Sequence, residues 1–271
     1  MKQPAENPRP IVIAIVPARL SSTRLPKKLL LPIAGKPLIL WTIEQAKKAR
    51  NISRVIAATD SEEILYAIQE NGGEAILTAE THQSGSDRIA EVAKKLPENS
   101  IIVNVQGDEP LISAATIEKV VEAILQDNSI QMATTCELIH DAKDVLSSDV
   151  VKVVSDENNF ALYFSRSPIP FPREAVKKHG TLENALREEK NLILQFRKHS
   201  GLYVYRREFL LRYTKLAQTA LEKTEMLEQL RALETGARIK VIETSEHSIG
   251  VDTPEDFERV KQIIETGKIS D

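Results

Sequence analysis

Short apolar runs that alternate with amphipathic helical segments are the feature that most constrains how this chain folds. Residues 11–16 form a continuous apolar run rich in β-branched side chains, and shorter runs recur at 55–59, 74–78 and 101–105. Helical periodicity occupies the intervals between them. Such runs suit strands that are covered on both faces. Four or five strand–helix units in succession therefore predict an α/β fold with a doubly wound, mostly parallel sheet.

The pattern changes after about residue 130. Strands are predicted at 131–136, 150–154, 160–165 and 199–205, and the shorter gaps cannot hold parallel crossovers. We therefore expect antiparallel pairing in an excursion from the main sheet, with residues 173–198 as a charged arm. Helices at 207–216, 224–235 and 253–266 and a strand at 239–244 complete the pattern. The whole predicts one domain over 11–271, with an insertion at about 130–205, behind a flexible N-terminal tail over 1–10.

Local capping signals predict where two of the helices begin. Asp60 follows the second strand, and Glu63 stands three residues later in the position of a capping box. Near the end of the chain, Thr253 is a natural N-cap, Pro254 suits the first helical turn, and Asp256 closes a second capping box.

Composition excludes several classes of protein. The formal net charge is −3, which predicts no broad basic surface and argues against a nucleic-acid binder. The single cysteine, Cys136, permits neither an internal disulfide nor a thiolate zinc site, and it favours a cytoplasmic location. No apolar run approaches the roughly 18 residues of a membrane span, so no membrane partner is expected.

A basic loop over residues 17–28 follows the first strand. It holds two arginines, two lysines and three hydroxyl side chains within twelve residues. Open α/β sheets bind ligands outside the carboxyl ends of their strands, and arginine and lysine are the usual partners of phosphate oxygens. The loop lacks the glycine pattern of a Walker A motif. A triphosphate site and a merely solvated basic loop are both compatible with it.

Two aspartates are candidates for a metal site. Asp108 lies in the segment 106–110, directly after the strand at 101–105, and Asp252 lies just outside the capping box that begins at Thr253. Carboxylates at a strand end suit Mg²⁺ that is shared with substrate phosphates. The alternatives are a plain turn for the first segment and a plain helix cap for the second.

Three further segments have weaker functional signals. Residues 82–88 suit a base-recognition loop, although Ser86 or Asp87 would also serve as a helix cap. The predicted strand at 199–205 places His199, Gly201, Tyr203 and Tyr205 on one face, which suits a sugar but also suits a structural role. The polar stripe Glu225, Glu228 and Gln229 is typical of a solvated helix face.

Taken together, these segments resemble the 3-deoxy-manno-octulosonate cytidylyltransferases, also called CMP-Kdo synthetases. The resemblance rests on residues 17–28, 58–60, 82–88, 103–110, 164–166, 199–205, 225–231 and 250–256, and it spans nearly the whole chain after residue 10. It implies a nucleotide-diphospho-sugar transferase fold with an antiparallel dimerisation arm, a homodimer, Mg²⁺ as the cofactor and CTP as a substrate.

The resemblance also implies roles for individual residues. Asp108 and Asp252 match the metal-binding aspartates, and Asp108 matches a catalytic position together with the loop cations. The triphosphate and nucleotide positions are matched by Arg19, Ser22, Arg24, Lys28, Ser84, Gly85, Arg88 and Gln106. The sugar positions are matched by Gln106, Arg166, Arg173, His199, Tyr203, Glu228 and Gln229.

Four positions depart from the pattern of that family. Lys27 stands where the family usually has glycine, and Leu29 stands where it usually has proline. Ser200 and Val204 replace the more usual residues around His199 and Tyr203. The first pair leaves open whether Lys27 shares the phosphate role, and the second pair leaves the identity of the sugar open.

The activity implied is transfer of CMP from CTP to 3-deoxy-D-manno-octulosonate (Kdo), with release of pyrophosphate, for lipopolysaccharide biosynthesis. Two alternatives stay open at this point. One is a cytidylyltransferase for a related acidic sugar, such as 8-amino-Kdo or sialic acid, and the other is a catalytically silent nucleotide-binding protein.

Overall fold

A computed structural model describes residues 10–246 and 248–267 of the chain. The predicted N-terminal tail therefore lies outside the described residues, apart from Pro10. None of the helices within these ranges is both long enough and apolar enough to cross a membrane.

Strands and helices alternate along most of the described chain. The strands are β1 (Val12–Ala18), β2 (Pro32–Ile33), β3 (Lys36–Pro37), β4 (Arg54–Thr59), β5 (Glu74–Leu77), β6 (Ile101–Asn104), β7 (Met132–Leu138), β8 (Lys152–Ser155), β9 (Ala161–Ser165), β10 (Arg197–Arg206) and β11 (Ile239–Glu243). The α-helices are α1 (Leu38–Lys48), α2 (Glu62–Glu70), α3 (Gly85–Ala93), α4 (Ala114–Gln126), α5 (Ala142–Leu146), α6 (Arg173–His179), α7 (Leu182–Glu188), α8 (Arg207–Tyr213), α9 (Ala220–Glu225), α10 (Gln229–Glu234) and α11 (Pro254–Thr266). Short 3₁₀ helices cover Lys28–Leu30 and Lys190–Gln195.

A nine-stranded sheet organises the described part of the chain. Its main path runs β11-β7-β10-β6-β1-β4-β5, and β8 joins β10 to β9 at the side. Strands β6, β1, β4 and β5 are parallel neighbours, as are β7 and β11. Strand β10 is antiparallel to both β6 and β7. The predicted α/β class with antiparallel pairing in the second half is confirmed, but β7 and β10 lie inside the main sheet instead of outside it.

Both faces of the sheet are covered, as the apolar run at the first strand predicted. Val12, Ala14 and Val16 of β1 belong to one buried cluster, whereas Ile13 and Ile15 belong to the cluster on the opposite face. This alternation follows from the two-residue period of a strand. Burial on both faces is the reason why the run is continuously apolar.

The charged segment between β9 and β10 packs with α5, which lies between β7 and β8, around a small separate core. Residues of α5, α6, α7 and the second 3₁₀ helix pack together, and Val145, Ala185 and Phe196 are fully buried there. The segment predicted as a charged arm is therefore helical.

Several predicted local features are wrong, and long-range contacts explain why. Ser61, not Asp60, caps α2, because the Asp60 carboxylate accepts hydrogen bonds from the Leu20 amide and from Arg88. Ser84, rather than Ser86 or Asp87, caps α3.

The helix predicted over 224–235 is also wrong as a single element. It is broken into α9 and α10 at Met226, which adopts a left-handed backbone with φ of 53°.

Candidate active site

A cavity of about 310 Å³ opens at the carboxyl edge of β1 and β6. Its walls come from the basic loop, the start of α3, the turn after β6 and the segment before α11. The lining residues are Pro17, Ala18, Arg19, Lys28, Leu29, His82, Gln83, Ser84, Gly85, Arg88, Gln106, Gly107, Asp108 and Asp252. Ligands of open α/β sheets bind at this edge, so the position of the cavity is the one expected for a substrate site.

Lys28 joins the two candidate metal-binding aspartates. Its ammonium donates to Asp108 Oδ2 at 2.6 Å and to Asp252 Oδ1 at 2.8 Å. A third hydrogen bond reaches the Val251 carbonyl at 2.8 Å, and the Val251 amide donates to the Asp108 carbonyl at 2.9 Å. Two carboxylates that are 144 residues apart in the sequence thus converge on one cation.

The charged groups in this cluster shift one another's pKa values. Burial lowers the pKa of Lys28, but the charge and hydrogen bonds of Asp108 and then Asp252 outweigh it, so the pKa is raised overall. For Asp252, burial raises the pKa, but Lys28 and Arg24 reverse that effect and lower it. Arg24 Nη2 lies 2.9 Å from Asp252 Oδ2. Lys28 and Asp252 therefore stay charged near neutral pH.

Gly107 lets the turn after β6 approach the first strand closely. A Cβ atom at this position would lie 2.8 Å from the Pro17 carbonyl oxygen and 3.0 Å from Ile39 Cδ1. No larger residue fits without movement of the backbone. The contact with the Pro17 carbonyl therefore favours glycine at this position.

The start of α3 forms another wall of the cavity. Ser84 caps the helix by accepting from the Asp87 amide, and Arg88 points back beneath the loop. The buried Arg88 guanidinium donates to Thr78 Oγ1 and to Asp60 Oδ2, each at 2.7 Å. Because Asp60 also accepts from the Leu20 amide, this network ties the basic loop to α3.

Aromatic rings extend from His199 along β10. The His199 ring lies 5.1 Å from that of Phe164 and 5.3 Å from that of Tyr203, and the Tyr203 ring stacks at 5.9 Å on Tyr205. His199 Nε2 is 2.9 Å from Thr134 Oγ1. Burial lowers the pKa of His199 to about 3, so this imidazole is neutral at physiological pH. The predicted clustering of His199, Tyr203 and Tyr205 is confirmed.

Glu228 lies against the start of α3, although sequence periodicity suggested a solvated stripe. Its carboxylate accepts from Ser84 Oγ at 3.2 Å and from Ser86 Oγ at 3.0 Å, and burial raises its pKa. The neighbouring Gln229 is only 5% exposed. The stripe interpretation is wrong because the break at Met226 turns Glu228 toward the serines.

Arg166 is held by the end of α9. Its amide donates to Glu225 Oε2 at 2.9 Å, and its Nε donates to the Glu225 carbonyl at 2.8 Å. Arg173 begins α6 and is not among the cavity-lining residues.

The structure brings the predicted site residues together in part. Those that line the cavity are Arg19, Lys28, Ser84, Gly85, Arg88, Gln106, Asp108 and Asp252. Arg24 forms an ion pair with the lining residue Asp252, and Glu228 accepts a hydrogen bond from the lining residue Ser84. The remaining residues, namely Ser22, Arg166, Arg173, His199, Tyr203 and Gln229, are not among its lining residues.

Lys27 faces away from this cluster. Its backbone is left-handed, with φ of 51°, and its ammonium pairs with Glu63 at 2.7 Å on the surface. Glycine adopts this conformation without strain, which explains why glycine is usual at this position in the family that the chain resembles.

Sequence reasoning missed Asp60 as part of the site and interpreted it as a helix cap. A carboxylate at the carboxyl end of a buried parallel strand was the available signal, since ligand sites of such sheets form there.

A parallel-sheet domain with a basic loop and two carboxylates at the carboxyl edge of its strands is typical of nucleotide-binding α/β enzymes. Comparison with known proteins gives the class. The sequence profile of the Cytidylyltransferase family matches residues 13–240.

Individual relatives narrow the assignment. The chain is 48% identical to the 3-deoxy-manno-octulosonate cytidylyltransferase of Trichlorobacter lovleyi, covering 94% of this chain and 99% of the relative. It is 47% identical to the enzyme of the same name from Geobacter sulfurreducens, covering 92% and 97%. A solved structure described as CMP:2-keto-3-deoxy-manno-octonic acid synthetase complexed with CTP is 37% identical and superposes with a TM-score of 0.84, covering 95% of this chain and 100% of the other. The chain belongs to the cytidylyltransferase family and, within it, to the 3-deoxy-manno-octulosonate cytidylyltransferases. The resemblance inferred from the sequence is confirmed.

Proposed function

We propose that the protein transfers CMP from CTP to Kdo and releases pyrophosphate. The observation that carries this proposal is the convergence of Lys28, Asp108 and Asp252 at the carboxyl edge of the sheet. The names of the relatives support the choice of CTP and of the sugar.

The donor set fits Mg²⁺ as the cofactor. Two carboxylates converge on one point, and the described residues contain no group of three or more His, Cys, Asp or Glu side chains that would hold a metal alone. Mg²⁺ is commonly held by one or two carboxylates and completed by substrate phosphates and water. We propose Asp108 and Asp252 as its protein ligands. When bound, Mg²⁺ would neutralise phosphate charge and orient the reacting groups.

The basic loop would bind the triphosphate. Lys28 and Arg24 both pair with Asp252, so both cations lie beside the proposed metal ligands. Phosphate oxygens bound to that metal would therefore be close to both cations. In the reaction, the anomeric hydroxyl of the sugar attacks the α-phosphorus and pyrophosphate leaves. Arg19, Arg24 and Lys28 would offset the charge on that leaving group, because such transfers depend mainly on positioning and on charge neutralisation.

Residues that line the cavity and residues beside it would hold the base and the sugar. Ser84, Gly85 and Arg88 form the rigid start of α3 and are proposed to face the cytosine side, with Ser22 and Gln106 as further nucleotide contacts. The sugar carboxylate would pair with Arg166 or Arg173. His199, Tyr203, Glu228, Gln229 and Gln106 would bind the sugar hydroxyls. The neutral state of His199 suits a hydrogen-bonding role rather than one of charge pairing.

We further propose that the enzyme is a cytoplasmic homodimer and that its product is used in lipopolysaccharide biosynthesis. Several large apolar side chains support a dimer because they are exposed on β9 and in the segment between β9 and β10. They include Leu162 at 63%, Phe171 at 62% and Leu194 at 50% exposure. Light scattering after gel filtration would give about twice the chain mass of 30.3 kDa, and a single chain mass would contradict the dimer.

A pair of isosteric variants tests the site assignment. Asp108→Asn and Asp252→Asn are each expected to abolish pyrophosphate release while CTP binding, measured by calorimetry, largely survives. Lys27→Met is the matched control, since its ammonium lies on the surface, and it should retain turnover. Wild-type rates in either aspartate variant would refute the metal assignment.

A substrate panel with Kdo, 8-amino-Kdo and sialic acid then separates the alternatives. We expect the largest kcat/KM with Kdo. CTP binding without turnover of any sugar would instead indicate a silent nucleotide-binding protein.

A further inference from the structure

Glu109 follows the proposed metal ligand Asp108 and has no part in the mechanism above. One oxygen of its carboxylate, Oε2, accepts a hydrogen bond from Ser248 Oγ at 3.0 Å. Among the contacts of residues 10–246 and 248–267, the other oxygen, Oε1, has no hydrogen-bond partner. Ser248 therefore fixes the orientation of the side chain, and Oε1 retains its capacity to accept.

Gly201 identifies the direction in which Oε1 points. A Cβ atom built on Gly201 would lie 3.4 Å from Glu109 Oε1 and 3.5 Å from Gln106 Cγ. No side chain therefore separates the backbone of β10 from these two residues. Both distances are ordinary van der Waals contacts, so an alanine methyl group would fit there and would cover Oε1.

The pairing of β10 places Gly201 next to the proposed sugar residues. Tyr203 pairs with Asn104 at the end of β6, so residues 199–201 extend past that end, beside the turn that holds Glu109. The register of β10 against β7 shifts between Ser200 and Tyr203. The shift covers Gly201 and Leu202, between His199 and Tyr203, and Gly201 faces Glu109 and Gln106 there.

Charge limits the groups that Oε1 can bind. Both substrates are anionic, and a carboxylate repels phosphate groups and the sugar carboxylate. Hydroxyl groups are the remaining feature of the sugar, and each has a proton that a carboxylate accepts.

We propose that Glu109 Oε1 accepts a hydrogen bond from a hydroxyl group of the sugar, and that position 201 is glycine because a side chain there would occupy the space of that sugar. The inference rests on the proposed function, since it requires an acidic sugar as the second substrate. Ser248 is then a positioning residue, which holds the acceptor in the bound orientation before the sugar arrives. Such preorganisation increases affinity by reducing the entropy that is lost on binding.

The first test compares Glu109→Gln with the wild type. The amide has one acceptor oxygen for two partners, so kcat/KM for the sugar is expected to fall about 10- to 100-fold, because a buried group left without its hydrogen bond costs roughly that factor. CTP affinity by calorimetry and the thermal midpoint should stay at wild-type values. Gly201→Ala should give a loss of similar kind, and Ser248→Ala a smaller one of a few-fold.

Sugar analogues that each lack one hydroxyl distinguish binding from a purely structural role. In the wild type, every deletion at a contacted position lowers kcat/KM. In Glu109→Gln, one analogue should show no further loss, because the hydroxyl and its acceptor then form a non-additive pair.

Equal losses on all analogues, or wild-type kinetics in Glu109→Gln, would overturn the inference. Absence of sugar turnover in the wild type would instead refute the proposed function. The two failures are therefore distinguishable.

Discussion

Replacement of Lys28 by methionine should have opposite effects on metal binding and on nucleotide binding. In the structure the Lys28 ammonium lies between the two carboxylates that are proposed to hold Mg²⁺, at 2.6 and 2.8 Å. A divalent ion that binds without CTP must displace this ammonium from both aspartates. Methionine keeps most of the length of the side chain and removes the charge, so Asp108 Oδ2 and Asp252 Oδ1 become available, while Arg24 keeps its contact with Asp252 Oδ2.

The geometry indicates the size of the effect. A hydrogen bond to a charged group contributes about 1.5–3 kcal/mol. The side chain of Asp252 is 47% exposed and that of Asp108 is 29% exposed, so solvent screening moves the contribution toward the lower limit. Removing about 2 kcal/mol of competition should tighten metal binding roughly 30-fold. The same variant should bind the CTP–metal complex more weakly, because Lys28 no longer contacts the triphosphate.

Electron paramagnetic resonance of free Mn²⁺ measures both affinities, once without nucleotide and once with CTP. Lys27→Met is the matched control and should behave as the wild type in both titrations, since Lys27 pairs with Glu63. If Lys28→Met binds Mn²⁺ no more tightly than the wild type in the absence of CTP, Lys28 does not compete for the aspartates and the reasoning fails.

Three further predictions concern buried groups. Burial lowers the pKa of His199 from 6.5 to about 3, so the unfolded state takes up the proton first as the pH falls. The free energy of unfolding of the wild type should therefore fall as the pH drops below 6.5. Urea unfolding at pH 7 and pH 5 should show a smaller fall for His199→Gln. Glu222 and Arg231, 5% and 6% exposed, form a buried pair, so Glu222→Ala should cost about 3–5 kcal/mol in chemical denaturation, and a loss below 1 kcal/mol would contradict the pairing. Burial raises the pKa of Cys136 to about 12, so iodoacetamide should label this thiol only when the protein is unfolded, and rapid labelling of the native protein would be inconsistent with its burial.

Features that depend on local pattern were predictable from the sequence. The continuous run at β1 identified a strand covered on both faces, and its side chains do divide between two cores. The capping box of Thr253 and Asp256 is present, with Pro254 in the first turn of α11. Each of these features is determined by neighbouring residues, and for that reason local periodicity and capping chemistry were sufficient.

Features that depend on distant partners were not predictable in the same way. Asp60 has the sequence context of a cap, but Arg88 and the Leu20 amide compete for its carboxylate. Glu228 has the spacing of a solvated stripe, but its carboxylate accepts hydrogen bonds from Ser84 and Ser86 at the start of α3. In both cases a contact across more than twenty residues overrides a local preference.

The candidate site shows the same division. The strand ends that carry Asp108 and the basic loop could be located from apolar runs alone. The shared contact with Lys28 could not, because the approach of Asp252 depends on how the segment before α11 packs against the turn after β6. Resemblance to a family implied that Asp108 and Asp252 act together as metal-binding residues, but it did not imply their contact with Lys28.

The most direct test of the account is ³¹P nuclear magnetic resonance of CTP and Kdo incubated with Mg²⁺ and the wild-type protein, with Asp108→Asn in parallel. We expect the triphosphate signals of CTP to be replaced by one phosphodiester signal and one pyrophosphate signal of twice its intensity, because pyrophosphate holds two equivalent phosphorus atoms. We expect the variant to leave CTP unchanged. Persistence of CTP with the wild-type protein, or equal conversion by Asp108→Asn, would contradict it.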